Sequence, residues 1–259
     1  MQDCHIHSNY SDGTFLSAMV RAAEETEFTG VGFADHCNVS PRDVMADTRA
    51  LQGFNLDVTY ERRRRAIRRL REDAAVEIHD AVEVDYEPRD ETRIRNFLEE
   101  GEFDYALGSV HWIDDANVQV ESNFSGKTAD ELDAIVDRYF EKLVALVESE
   151  LFEVAAHVDL VERTEALRGR ATREHYRRTA RALADSRTIP EINAGRALTD
   201  AGVVHPDSGF LDVLREYDIP VAVGTDSHRP DEIGRRAEFL AELLADRDLE
   251  PVAPPEFRS

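Results

Sequence analysis

The segment "DCHIHSNYSDG" opens at the third residue and sets Asp3, His5 and His7 on alternate positions, with Asp12 following inside a turn-forming "SDG". In an extended chain, residues two apart share a face, so this spacing turns a pair of imidazoles toward one cavity. Comparable groups recur along the sequence: His36 in "GFADH", Glu83 with Asp85 in "AVEVDY", His111 in "GSVHW", His157 in "AAHVDL", Glu191 with Asn193 in "PEINA", and Asp226 with His228 in "GTDSH". Imidazole and carboxylate without thiolate is the ligand chemistry of Zn²⁺, Mn²⁺ or Fe. The candidates His5, His7, Asp12, His36, Glu83, His111, His157, Asp226 and His228 outnumber the three or four protein ligands that one catalytic ion takes. Two or three clustered divalent ions are therefore expected.

These side chains need elements that bring them together. Strand-like runs appear at "QDCHIHS", "GVGFADH", "VEIHDAVEVDY", "FDYALGSVHW", "LFEVAAHVDL", "TIPEINA" and "IPVAVGTDSH". Between most of them lie helix-like stretches, among them "TFLSAMVRAAEETEF", "TADELDAIVDRYFEKLVALVES", "GFLDVLREY" and "DEIGRRAEFLAELLADRD". The second of these opens on a Thr cap. Strand alternating with helix predicts a parallel sheet, and no Pro/Gly/Ser linker divides the chain, so one α/β domain over 1–259 is expected. The candidate ligands, apart from Asp12 in the turn after the first run, fall at the C-terminal ends of the runs, which in a parallel α/β barrel meet at one mouth. Six of the nine histidines stand at such ends; unrelated polar roles would need the same coincidence on strand after strand.

Charge sets the surroundings. Asp and Glu total 54 against 31 Lys and Arg, a formal net of -23. A nucleic-acid binder needs a basic surface, so stable nucleic-acid binding is not expected. The balance suits a halophilic protein whose acidic surface works in concentrated salt, where screening relieves self-repulsion. No apolar run approaches the ~20 residues of a membrane span and no basic-then-apolar leader precedes the first strand, so a cytoplasmic protein is expected. Cys4 and Cys37 cannot form a disulfide framework and read as small buried apolar residues. The run Arg62–Arg65 reads as a helix whose basic face is solvated or paired with the acidic surface. His79 is expected to be buried and hydrogen-bonded, His175 solvated on a helix, and His205 in a loop with possible access to substrate.

The motifs "DCHIHSNYSDG", "GFADH", "AVEVDY", "GSVHW", "AAHVDL" and "GTDSHRP", in this order, resemble those of the polymerase and histidinol phosphatase (PHP) superfamily. The resemblance implies a distorted seven-stranded α/β barrel, TIM-like, with the metal site at the C-terminal ends of the strands. It also implies a trinuclear site: His5, His7, Glu83 and Asp226 at a first ion, Glu83 bridging to a second completed by His111 and His157, and Asp12, His36 and His228 at a third. Asp3 is expected to orient a ligand imidazole. The segments "GSVHW", "HVDLVER" and "EINAGR" look most like the branch that hydrolyses L-histidinol phosphate to L-histidinol and phosphate in histidine biosynthesis, with Arg163 and Arg196 meeting the phosphate. Asp12 stands where some members carry histidine, a feature shared with members acting on nucleotides and cyclic phosphodiesters, which are the alternative substrates. A noncatalytic PHP module is a third and weaker reading, because the ligand set is complete. In a phosphatase, divalent ions lower the pKa of a coordinated water toward about 7 and neutralise the phosphoryl charge, which Arg163 or Arg196 also offsets. Asp226 or His228 is a candidate to serve the leaving alkoxide. A small phosphorylated substrate is the expected partner, and the oligomeric state is left open.

Overall fold

The computed structural model describes residues 1–254. Its strands are β1 (Gln2–Ile6), β2 (Gly30–Phe33), β3 (His36–Cys37), β4 (Glu77–Asp85), β5 (Tyr105–Ser109), β6 (Trp112–Ile113), β7 (Ala116–Asn117), β8 (Val154–Ala155), β9 (Ile189–Arg196), β10 (Val203–His205) and β11 (Ala222–Gly224). The helices are α1 (Leu16–Glu24), α2 (Asp43–Gln52), α3 (Tyr60–Arg71), α4 (Glu91–Gly101), α5 (Ala129–Glu148), α6 (Arg173–Ala184), α7 (Ser208–Glu216) and α8 (Pro230–Arg247).

Each of the seven expected runs contributes a strand to one curled sheet, in the order β1-β2-β4-β5-β8-β9-β11 with every neighbouring pair parallel. The sheet returns on itself through an isolated Ile6–Ser227 bridge, reinforced by Asp226 N–H to His5 O at 2.7 Å and His7 N–H to Ser227 O at 2.9 Å. The result is a distorted, TIM-like barrel. Its strands are covered on both faces, so their sequences read as near-continuous apolar runs. Cys4, Ala81, Leu107, Val154 and Ala222 share one small cluster, while Cys37 packs in the large core formed with α4 to α7. Both thiols are buried, in keeping with the apolar reading.

The helices follow from their stripes. Thr128 caps α5 in a reciprocal capping box with Glu131, and Leu132, Val136, Tyr139, Phe140 and Leu143 bury its inner face. Helices α2 and α4 were not legible as stripes; α2 buries only Met45. Helix α3 departs from expectation in one respect. Arg65 and Arg69 pair with Glu61, Glu72 and Asp73 on the surface, but Arg63 is fully buried, 2.8 Å from both Asp35 and Asp80. A buried guanidinium is tolerable because two carboxylates and the Ala81 carbonyl take its Nη1 and Nη2 donors, leaving only Nε without a partner.

Three breaks in regularity shape the mouth. Strand β8 is only two residues long, and the chain leaves it for a 3₁₀ turn at Leu160–Arg163. The partner of β4 changes from β2 to β3 across Ala34 and Asp35, with Phe33 opposite Asp80 and His36 opposite Glu83. The register of β1 on β2 shifts between Asp3 and Ile6.

Candidate metal centre

Glu83, near the end of β4 and fully buried, stands at the middle of the site. Its Oε2 lies 2.6 Å from His36 Nδ1, 3.5 Å from His5 Nε2 and 3.8 Å from His7 Nε2. Its Oε1 lies 3.0 Å from His157 Nε2 and 3.4 Å from His111 Nε2. To one side, Asp226 Oδ1 is 3.3 Å from His7 Nε2 and 3.7 Å from His228 Nδ1. Asp12 Oδ1 lies 3.3 Å from His228, 3.7 Å from His36 and 3.9 Å from His7. All nine candidate ligands thus meet at one end of the barrel.

The donor set fits divalent cations. Ligand atoms of His5, His7 and Glu83, of His36, Glu83 and His111, and of His7, Asp12, His36 and His228 each lie within 4.8 Å of one another. Two donors on one ion at ~2.0–2.2 Å stand at most ~4.4 Å apart, so little adjustment is needed. Glu83 Oε2 has three ring nitrogens around it yet makes no well-directed hydrogen bond, and His5 and His7 aim their Nε2 atoms at each other across 3.1 Å. Ring nitrogens and carboxylate oxygens crowded this closely at a buried point are the donor set a divalent cation takes. His36 reaches both Glu83 and Asp12, and His7 both Glu83 and Asp12, so the groups share members more than the three-ion partition from the motifs implies.

Titration reflects the same crowding. Burial would raise the Glu83 carboxyl, but the imidazoles, His36 foremost, hold it well below the carboxylate range. Asp226 is likewise kept well down against its burial, chiefly by His7. Burial lowers His5, yet Glu191 and Glu83 outweigh it and leave that imidazole raised well above its usual value. His36 is carried up to about 10 despite burial, mainly by Glu83. His7, buried and facing His228 and His36, falls to about 4. Ionised carboxylates held down by a ring of imidazoles make a buried centre whose negative charge calls for cations beside it.

Most of the imidazoles are held from behind, which fixes the nitrogen they present. Glu191 Oε1 accepts from His5 Nδ1 at 2.9 Å, leaving Nε2 toward Glu83. Asp85 Oδ1 holds His111 Nδ1 at 2.5 Å, the Asp226 carbonyl holds His228 Nδ1 at 3.0 Å, and Ser11 Oγ faces His7 Nδ1 at 3.4 Å. Ser109 donates to Glu83 Oε1. Asp35 collects Ser8 N–H, Ser8 Oγ and Ser11 Oγ, each at 2.7 Å, and anchors the loop that carries Asp12. Asp3 does not orient an imidazole as expected. Its carboxylate accepts from Thr225, from N at 2.9 Å and from Oγ1 at 2.5 Å, and from the His5 N–H at 3.1 Å. It ties β1 to the segment after β11 instead, and burial lifts its carboxyl to about 6. Glu191 is the residue that performs the expected task; its alternation with Asn193 was the available signal.

Backbone geometry at the mouth is unusual. His157 and Asp226 have φ of 29° and 50°, in the left-handed region that non-glycine residues rarely occupy. Arg236 on α8 donates to the Asp226 carbonyl at 2.9 Å and Glu191 accepts the His157 N–H at 2.9 Å, so both are tied in place. Gly224 must be glycine, because a Cβ there would stand 1.9 Å from Glu191 Oε1 and 2.7 Å from His5 Cβ.

A cavity of about 560 Å³ opens over this cluster, lined by seven of the candidate ligands and by Phe54, Trp112, Gln119, Arg163, Arg196 and Arg236. Arg163 ends the 3₁₀ turn, and its Nη1 donates to Gln119 Oε1. Burial brings its guanidinium down to about 10, with Arg196 adding to the effect and Asp226 opposing it. Arg196 ends β9 with its side chain exposed at the rim. Nothing in the sequence pointed to Gln119 as the partner of Arg163. His79 is buried as expected, but its Nε2 makes no hydrogen bond. His175 is not solvated: its Nε2 meets Asp137 at 2.8 Å and its ring stacks on Phe140 at 4.9 Å, because the capping box of α6 folds it back. His205 does not reach the cavity; it is buried behind His157.

The geometry defines a metal-dependent centre at the mouth of a parallel α/β barrel, and comparison gives it a family. Residues 3–195 match the model of the PHP domain, and the chain belongs to the PHP domain family. The class of enzyme expected from its motifs, a metal-dependent phosphatase, stands. The histidinol phosphate phosphatase of Lactococcus lactis subsp. lactis, solved with zinc, L-histidinol and phosphate, is similar with a TM-score of 0.76 at 20% identity, over 98% of this chain and 96% of that one. A Listeria monocytogenes protein assigned as a histidinol phosphatase is similar with a TM-score of 0.72 at 19% identity, over 91% and 98%. A chain of archaeal ribonuclease P, solved with mature tRNA, shares the fold at a TM-score of 0.51 and 12% identity, over 95% and 90%. No curated protein matches the sequence. Among the described residues, no helix is long and apolar enough to cross a membrane.

Proposed function

We propose that this protein hydrolyses L-histidinol phosphate to L-histidinol and phosphate, using two or three divalent ions held by His5, His7, Asp12, His36, Glu83, His111, His157, Asp226 and His228. The observation that carries the reading is Arg163. Its guanidinium is half-buried beside the ligand cluster, and its hydrogen-bond partner is the neutral Gln119 rather than a carboxylate. A cation kept this way retains its charge for an anionic guest. Arg163 seats the phosphate with Arg196 at the rim, and Gln119 fixes the fork of the guanidinium. When bound, the ions neutralise phosphoryl charge and activate the attacking water. We assign the proton owed to the leaving alkoxide to Asp226 or His228, whose carboxylate and ring stand 3.7 Å apart. Phe54, whose ring lies 6.2 Å from that of His36, and Trp112 offer aromatic faces of a size suited to an imidazole. The similarity in fold to the Lactococcus lactis phosphatase supports this choice of substrate over others.

The test is phosphate release from L-histidinol phosphate, nucleoside monophosphates and cyclic phosphodiesters by metal-loaded protein, with Arg163→Ala alongside. Histidinol phosphate should show the highest kcat/KM. Removing a single charge-stabilising donor should cost about 10²-fold or more, with the melting temperature little changed. A preference for a nucleotide or a cyclic phosphodiester would overturn the substrate and leave the metal centre standing.

A further inference from the structure

His157, like His36, is not held from behind, and it alone of the two leaves a ring nitrogen buried without a partner. Its Nε2 faces Glu83 Oε1 at 3.0 Å, yet its Nδ1 is buried with no hydrogen-bond partner in the protein. The same is true of one other nearby ring nitrogen, His205 Nε2. The two rings stand edge to face with centroids 6.4 Å apart. His205 is itself firmly held: its Nδ1 meets Asp159 Oδ1 at 2.7 Å, and Asp159 Oδ2 accepts the Asp207 N–H at 2.6 Å. Both His205 and Asp159 are buried.

Tautomers decide what these groups can do for each other. Asp159 accepts only, so His205 carries its proton on Nδ1 and presents a lone pair at Nε2. If His157 turns the lone pair of Nε2 to a metal, its proton must sit on Nδ1. A buried N–H donor and a buried acceptor then stand on two rings whose centroids are 6.4 Å apart, a separation that leaves room for one bridging water. In the metal-free protein the proton belongs on Nε2, donating to Glu83.

We infer that His205, oriented by Asp159, is a positioning residue that holds His157 in its metal-binding tautomer through a bridging water. The inference rests on the ligand role proposed for His157 and is independent of the substrate. An orienting partner of this kind raises the basicity of the ligand and typically contributes 10–100-fold to metal affinity.

The experiment measures zinc affinity by chelator competition and ring protonation by ¹⁵N NMR of histidine-labelled protein, for wild type, His205→Phe and His205→Gln. On zinc loading, the His157 proton of the wild type should move from Nε2 to a slowly exchanging Nδ1–H. His205→Phe keeps a ring but no acceptor; it should bind zinc 10–100-fold more weakly and lose that signal. His205→Gln, with an amide oxygen as acceptor, should recover most of the affinity. Wild-type affinity in His205→Phe, or equal losses in both variants, would overturn the inference while leaving the proposed function intact. Should His205→Phe fail to fold, the wild-type spectrum decides: a zinc-loaded protein without a protected His157 Nδ1–H overturns it. A histidinol-phosphate assay that fails while these results hold removes only the substrate.

Discussion

Glu191→Gln tests how far the centre depends on a residue that binds no ion directly. One carboxylate oxygen accepts from His5 Nδ1 at 2.9 Å, and the other accepts the His157 N–H at 2.9 Å and Asn193 Nδ2 at 3.1 Å. In the amide, the oxygen must serve the side with two donors, so its NH₂ faces His5 Nδ1. Two donors cannot pair; His5 then shifts its proton to Nε2, the nitrogen aimed at Glu83, and withdraws its lone pair from the centre. Losing a charge-assisted hydrogen bond costs about 1.5–3 kcal/mol, one to two decades in affinity at ~1.4 kcal/mol per decade. Each lost decade removes ~1.4 kcal/mol of the stability that saturating metal confers. At ~2–4 °C per kcal/mol for a chain of this size, the rise in melting temperature on adding zinc should shrink by about 3–10 °C. Chelator competition and paired melting curves with and without zinc measure both quantities. Wild-type zinc affinity together with a wild-type rise would refute the claim that Glu191 sets the His5 tautomer.

Glu83→Ala should lose more activity and more bound metal than Asp12→Ala, because Glu83 touches five imidazoles from a fully buried position and Asp12 three from a half-exposed one; equal losses with equal metal content would contradict a central role for Glu83. The Glu87 carboxyl, against its burial, is brought down to about 2 by Arg89 and Lys142. A depressed carboxyl adds stability that is fully present above its unfolded value near 4.5 and is lost as pH falls through about 2. With Arg89 exposed and screened, the effect is on the order of 1–2 kcal/mol, so Glu87→Gln should flatten the loss of metal-free stability between about pH 4.5 and 2; parallel curves would rule it out. With a net of -23, the melting temperature should rise as KCl goes from dilute to molar, and a salt-independent value would remove the case for a halophilic surface.

The sequence by itself determined the strands, the class of fold and the chemistry of the ligands. Alternating His5 and His7, or Asp226 and His228, repeat with the period of an extended chain, and apolar runs between helical stripes leave little choice but a parallel sheet. Such patterns are local, carried by residues a few positions apart. What tertiary structure decided lies between segments far apart in sequence. Glu191 reaches His5 only because β9, β11 and β1 adjoin around the barrel, and Thr225, beyond β11, draws Asp3 away from the role its spacing suggested. The run Arg62–Arg65 says helix, but not that one guanidinium enters the core; that depends on Asp35 and Asp80 standing where α3 packs on β4. His205 lies in a loop by sequence and behind His157 in space, because β10 folds back antiparallel on β9 and carries it to Asp159. Spacing fixes the period of an element and the face of each residue on it, while the partner of a buried polar group is fixed by packing, which no local pattern encodes.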